Sequence, residues 1–264
     1  MKKCVYLTLL CVAFITLVSA SAQGGVGFRL KGGFSYIRYS DYNDFADHIT
    51  DVVLPEQGIA GELGNIHWVP EFSGEVMVSL VPSFSVGVGA GMIYGKSDFS
   101  FGVVGSSFTY EHIVKAYPIT VTGYFNLPLP IAVMKPYVFG GAGMYYSKIT
   151  FEEKVTGGGP AVGFDAELTK WDFGLHGGVG FEFSIAPVVS IDVGFSGRWA
   201  RIEGYEGTAT MTDGETVDIF LVGGEDEDGD PIFGPESVDE KDQWEEGSVD
   251  FSGFGFTVGV KLMF

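Results

Sequence analysis

Cysteine is almost missing from this chain, and its placement excludes the most chemistry. Only Cys4 and Cys11 occur, both within an amino-terminal run that reads as an export signal. Met1-Lys2-Lys3 makes a basic start, residues 4–18 are mostly apolar, and Ala20-Ser21-Ala22 supplies the small residues a signal peptidase needs, with cleavage expected before Gln23. A lipoprotein signal is not expected, because Leu10 precedes Cys11 where a small residue is required. The expected division is a signal peptide over 1–22 and one domain over 23–264. A chain of about 240 residues suits a single all-β unit. Exported without thiols, it has no disulfide, metal-thiolate site or cysteine nucleophile.

Long hydrophobic runs are also missing after the signal. The greasiest stretch, 127–134, is far too short to span a membrane as a helix, and Pro128 and Pro130 would interrupt helical hydrogen bonding there. Basic residues are scarce: 15 Lys and Arg face 34 Asp and Glu, for a net charge of −19. Between Glu203 and Asp250 only Lys241 is basic, so much of the acidity belongs to one segment, expected as a long loop over about 202–250. Such a surface repels phosphates and excludes nucleic acid as a partner.

Motifs for metals and phosphates are lacking too. His48, His67, His112 and His176 show no ligand spacing. The run Glu225-Asp226-Glu227-Asp228-Gly229-Asp230 invites a calcium reading. With Gly229 at the sixth place of an EF-hand loop, however, the first and twelfth places fall on Gly224 and Pro235, which carry no carboxylate. A solvated, mobile acidic loop is expected there, with weak divalent-ion binding as the alternative. Gly157-Gly158-Gly159 and the Gly87 to Gly91 run lack the strand-turn-helix setting of a phosphate loop. No cofactor is expected.

What is present is glycine (40 residues) and aromatic side chains (15%), with a period-two alternation that returns along the chain and marks strands. One strand sets Val26, Phe28, Leu30, Gly32, Phe34 and Tyr36 against Gly27, Arg29, Lys31, Gly33 and Ser35. A second sets Trp68, Phe72, Val76, Val78 and Leu80 against Glu71, Ser73, Glu75 and Ser79, with Met77 out of pattern. A third sets Phe84, Val86, Val88, Ala90, Met92 and Tyr94 against serine and glycine. The fourth sets Tyr117, Ile119, Val121 and Phe125 against Thr120, Thr122, Tyr124 and Asn126. In the fifth, about 136–151, Gly140, Gly141 and Gly143 blur the phase and leave its facing open. The sixth opposes Trp171, Phe173, Leu175, Val179, Phe181, Phe183 and Ile185 to Asp172, His176, Glu182 and several small residues. The seventh opposes Val189, Ile191, Val193, Phe195 and Trp199 to Ser190, Asp192 and Arg198. The eighth carries Phe254, Phe256, Val258, Val260, Leu262 and Phe264 opposite small residues and Lys261.

Long connections, at about 39–66, 96–108, 152–168 and 202–250, alternate with short ones at 81–83, 127–135 and 186–188. In an up-and-down barrel the long ones share one rim. The nearly pure apolar face and the sparse, glycine-rich polar face invert the pattern of a soluble barrel. The expected fold is therefore an all-β, eight-stranded antiparallel transmembrane barrel. Tyr36, Trp68, Tyr94, Trp171 and Trp199 are expected at an interfacial girdle on the long-loop side.

The blocks AYPITVTGYF, KPYVFGGAGMYY and DFGLHGGVGFEFS, and the ending GFTVGVKLMF, resemble small bacterial outer-membrane barrels of the OmpA/OmpX/OmpW type. The resemblance implies residence in the outer membrane of a Gram-negative bacterium, among membrane lipid and lipopolysaccharide. It also implies that Phe264, with Leu262 and Val260 before it, is read by the barrel-insertion machinery. Such motifs are patterns and speak to fold more than activity.

The inward positions gather Arg29, Lys31, Arg198 and Lys261 with Glu71, Glu75, Asp172, Glu182 and Asp192. Buried charges persist when paired and hydrogen-bonded, so an interior polar plug is expected, with a narrow solute path as the alternative. For an outer-leaflet lipid-modifying enzyme, the only local nucleophile and base are Ser106 or Ser107 with His112, and no motif supports them. The expected role is structural or surface-exposed, without enzymatic activity and with any specific interaction carried by the loops.

Overall fold

Alternation along the chain decides the architecture of the computed structural model, which describes residues 25–103, 106–128, 134–157, 161–225, 229–238, 241 and 244–264. The expected signal peptide with both cysteines, most of the 127–134 turn, Gly158 and Gly159, and the acidic triplet 226–228 lie outside the described residues. Eight antiparallel strands close a ring: β1 (Val26–Ile37), β2 (Trp68–Val81), β3 (Phe84–Val103), β4 (Ser106–Asn126), β5 (Met134–Thr156), β6 (Val162–Ala186), β7 (Val189–Trp199) and β13 (Gly253–Met263). β1 pairs with β13, Arg29 opposite Lys261, so no edge is left in the ring.

The facing follows the sequence pattern. Leu30 is 68% exposed, Phe34 61% and Val258 46%, whereas Arg29 is 2% exposed and Asp192 fully buried. β5 acquires a phase: Val138 and Met144 point out, while Tyr137, Tyr145 and Ser147 are buried inside. Met77 is likewise an inward residue, packed with Tyr124 and Tyr137. The tight turns at Pro82-Ser83 and Pro187-Val188 fall where expected.

The long connections are the main correction. Residues 96–108 are continuous strand of β3 and β4 apart from positions 104–105, and 152–168 largely extends β5 and β6. The segment expected as one long acidic loop over about 202–250 instead folds into β8 (Arg201–Glu203), β9 (Glu206–Met211), β10 (Thr216–Glu225), β11 (Pro231–Ser237) and β12 (Ser248–Asp250). β9 pairs with the upper part of β6 and is followed in the sheet by β10 and β11; β8 pairs with β12. Across 39–66 lies helix α1 (Ser40–His48), prolonged by a π-helical turn (Ile49–Val53). Asn43 clamps it to the returning chain, accepting the Ile66 amide at 2.8 Å and donating to the Ile66 carbonyl at 3.3 Å.

A ring of aromatic contacts marks a level around the barrel: Tyr36 against Trp68 and Phe254, and Tyr146 against Tyr117 and Trp171. Tyr117, Tyr146 and Phe254 thus join the residues expected in the girdle. Above it the two faces exchange character. Lys96, Asp98, Glu111, Lys148 and Glu167 line the outside, paired as Lys96–Glu111 at 2.7 Å and Lys148–Glu167 at 2.5 Å. Phe99, Val114, Ile149, Phe151 and Leu168 turn inward into an apolar core that also takes Tyr42, Leu54, Leu221 and Phe233 from the segments over the barrel mouth.

Candidate functional site

Below the girdle, the inward side chains form a buried polar network with matched charge. Lys261 Nζ on β13 donates to Glu182 Oε2 on β6 at 2.6 Å, and Ser190 on the intervening β7 donates to Glu182 Oε1 at 3.0 Å. Arg198 donates from Nη1 to Glu71 Oε2 at 3.0 Å and from Nε to the Phe251 carbonyl at 2.9 Å; Ser35 also donates to Glu71. Arg29 lies 3.6 Å from Asp192 and 3.9 Å from Glu75, and Lys31 lies 3.8 Å from Asp192. Four cations thus meet four carboxylates.

The sequence named all eight of these residues, and also Asp172, which stands apart. The Asp172 carboxylate accepts the Phe173 amide at 2.7 Å, near the girdle level, and joins no ion pair among the described residues. The phenols of the network were not singled out. Tyr124 donates to Glu75 Oε2 at 2.7 Å and Tyr137 to Asp192 Oδ2 at 2.8 Å, while the Arg29 guanidinium lies 4.3 Å from the centre of the Tyr124 ring. Tyr124 already sat on the polar face of β4, so its parity was the available signal; Tyr137 lay in the unphased strand.

Glycine makes this crowding feasible. A Cβ on Gly87 would stand 2.1 Å from Glu75 Oε1, and one on Gly180 would stand 2.4 Å from Tyr137 Oη. The glycines of the third strand therefore serve close approach inside the barrel and not a phosphate. Arg29, Lys31, Thr122, His176 and Arg198 border a cavity of about 90 Å³, room for several waters.

Toward the long-loop end, the cavity region gives way to packed apolar side chains, Ile37, Val69, Ile93, Ala116 and Tyr145 among them, with α1 and the β10–β11 hairpin above. In that layer His112 is fully buried. Its Nε2 shares a hydrogen bond with Tyr39 Oη at 2.9 Å, and its ring stacks on Tyr42 at 4.5 Å. Burial holds the imidazole far below its ordinary range, at about 3, so it is neutral at physiological pH.

The nucleophile and base considered from sequence do not meet. His112 faces inward, whereas the Ser107 hydroxyl is exposed and bonded to Thr156 at 2.6 Å. The positions tested for an EF-hand fall on β10 for Gly224 and β11 for Pro235, paired in an antiparallel hairpin. Among the described residues no group of three or more His, Cys, Asp or Glu is placed to hold a metal.

No family model and no curated protein matches the chain. Solved structures similar to it include Neisserial surface protein A, 12% identical, with a TM-score of 0.41 over 90% of this chain and 97% of that one. OprG of Pseudomonas aeruginosa is 12% identical, with a TM-score of 0.43 over 90% and 95%. Ail of Yersinia pestis, in complex with the heparin analogue sucrose octasulfate, is 12% identical, with a TM-score of 0.40 over 91% and 99%. At such identities and scores the likeness assigns no activity.

Proposed function

We propose that this chain is an outer-membrane anchor whose barrel holds a folded acidic cap outside the cell, with the cap as the part that interacts. The exchange of faces at the aromatic girdle carries the reading. Below that level apolar side chains point outward and charges inward, as hydrocarbon requires; above it charges point outward and apolar side chains inward, as water requires. One barrel wall is thus built for two solvents. Closure of the ring pairs the backbone groups that a lipid environment cannot satisfy.

The same geometry favours a plugged barrel over a conduit. The charge network has matched charges paired across the interior, and the layer above it is apolar and packed. The cap presents Glu225 and Glu245 at its surface, while Lys241 is engaged by Glu206 and Glu246 and Arg201 by Glu203, so a partner with a basic surface fits it.

Expression of the full chain in a Gram-negative host tests the anchor. The expected result is recovery in the outer-membrane fraction, with gel mobility that changes on boiling; recovery as a soluble periplasmic protein overturns it. In planar bilayers, the folded protein is expected to be silent. Steady conductance altered by Glu75→Gln or Arg29→Ala would support the solute path instead.

A further inference from the structure

We propose that the cap contains a binding site for a small, neutral, planar aromatic molecule carrying one hydroxyl or carbonyl oxygen. The site is a pocket of about 260 Å³ between the α1 segment and the β3–β4 hairpin, with one wall contributed by β5. It is separate from the polar network and lies above the girdle. Its volume falls just below the range of about 300–1,000 Å³ usual for drug-sized ligands, so a one- or two-ring molecule suits it.

The walls say what kind of molecule. Ile49 and Leu54 form the helical side. Facing them are three rings in mutual contact, Phe101 lying 5.5 Å from Phe99 and 5.2 Å from Phe108 between centres. Such a wall offers ring edges and faces at stacking distance to a flat guest. This part of the cap is held by its own bonds: Thr50 Oγ1 accepts the Leu63 amide at 2.9 Å, and the Tyr42 hydroxyl donates to the Gly64 carbonyl at 3.3 Å.

The polar groups set the charge of the guest. Tyr110 lines the pocket, and its hydroxyl is buried with no hydrogen-bond partner among the described residues. A buried donor without a partner is costly, and a ligand oxygen would relieve that cost. Burial, with Tyr42 and Glu153 nearby, keeps the phenol protonated far above its ordinary range, so it remains a donor. Glu153 also lines the site, and burial raises its carboxyl. Among the described residues no Lys, Arg or His lines the pocket. An anionic guest would meet a carboxylate and no cation, while a cationic guest would leave water for a wall of phenyl rings and a carboxyl whose charged form burial disfavours, so a neutral molecule fits best.

The test titrates 4-fluorophenol into the full chain folded in nonionic detergent, followed by fluorine NMR. Saturable binding is expected. Tyr110→Phe should weaken it by about 3- to 10-fold, the worth of one hydrogen bond. Ile49→Trp, which fills the pocket, should abolish it; Val53→Phe serves as a second blocking variant from the same segment. Fluorobenzene should bind more weakly and be indifferent to Tyr110→Phe, and 4-fluorobenzoate should not bind. Each variant is checked for the boiling-dependent gel shift, so that loss of binding is read only on folded protein. Purely linear partitioning of 4-fluorophenol, saturable binding unchanged by Tyr110→Phe or by both blocking variants, or equal affinity for the benzoate would overturn the proposal.

Discussion

Lys261 and Glu182 meet at 2.6 Å across an intervening strand, so that β13 is tied to β6 over the top of β7 inside the barrel. Both side chains are buried, and Ser190 of the bridged strand donates to the same carboxylate. Removing one partner leaves the other charged, buried and unmatched.

Lys261→Met is therefore expected to destabilise the folded barrel by about 3–5 kcal/mol. Combining Lys261→Met with Glu182→Gln should restore much of that loss, because the unpaired charge disappears with the pair. Urea unfolding of the protein refolded into lipid vesicles checks both outcomes. Equal destabilisation in the single and double variants would show that the pair does not act as a unit.

Outward positions on either side of the girdle should respond oppositely to charge. Val258→Arg, in the middle of the lower band, is expected to cost about 2–4 kcal/mol. Thr150→Arg, on the outward face above the girdle, should change stability by no more than about 0.5 kcal/mol. The same vesicle unfolding measurement compares them; similar costs would remove the distinction between the two halves of the wall.

Acid should loosen the cap through His112. Its folded value is pushed down to about 3, whereas an unfolded imidazole titrates near about 6.5. Its neighbours are Tyr39, Tyr42, Phe151 and Phe233, none of which offers a negative charge to the protonated ring. The stability it permits is complete above the unfolded value and is lost as pH falls from there through the folded value, at up to about 1.4 kcal/mol per pH unit. Amide exchange of residues 231–237 at pH values within that window should accelerate more in the native chain than in His112→Phe. Identical pH slopes in the two proteins would exclude His112 as the source.

Seven of the eight ring strands were legible with their facing because an outward face that is nearly all apolar leaves a clean alternation, as in Phe254 to Leu262. The fifth strand was not, because Gly140, Gly141 and Gly143 carry no side chain to report a face. Residues 96–101 alternate as strictly as any ring strand, yet with Phe99 and Phe101 turned inward and Lys96 and Asp98 outward. That reversed sense, beside so many charges, resembles a loop to a reading tuned for lipid. In β9 to β11 the acidic residues obscured the buried run Ile219 to Val222, which is the part that packs. Parity tells which face of a strand a side chain occupies, but it cannot give height along the barrel. For that reason Asp172 was grouped with residues it does not reach.

Spin labels placed singly along residues 254–262 and 96–102, with accessibility read against oxygen and a water-soluble nickel complex in lipid vesicles, test the two-solvent wall most directly. The account predicts oxygen-accessible labels at Phe256, Val258 and Val260 and nickel-accessible labels at Lys96, Asp98 and Ser100. Nickel access at Phe256 and Val258, or oxygen access at Asp98 matching theirs, would contradict it.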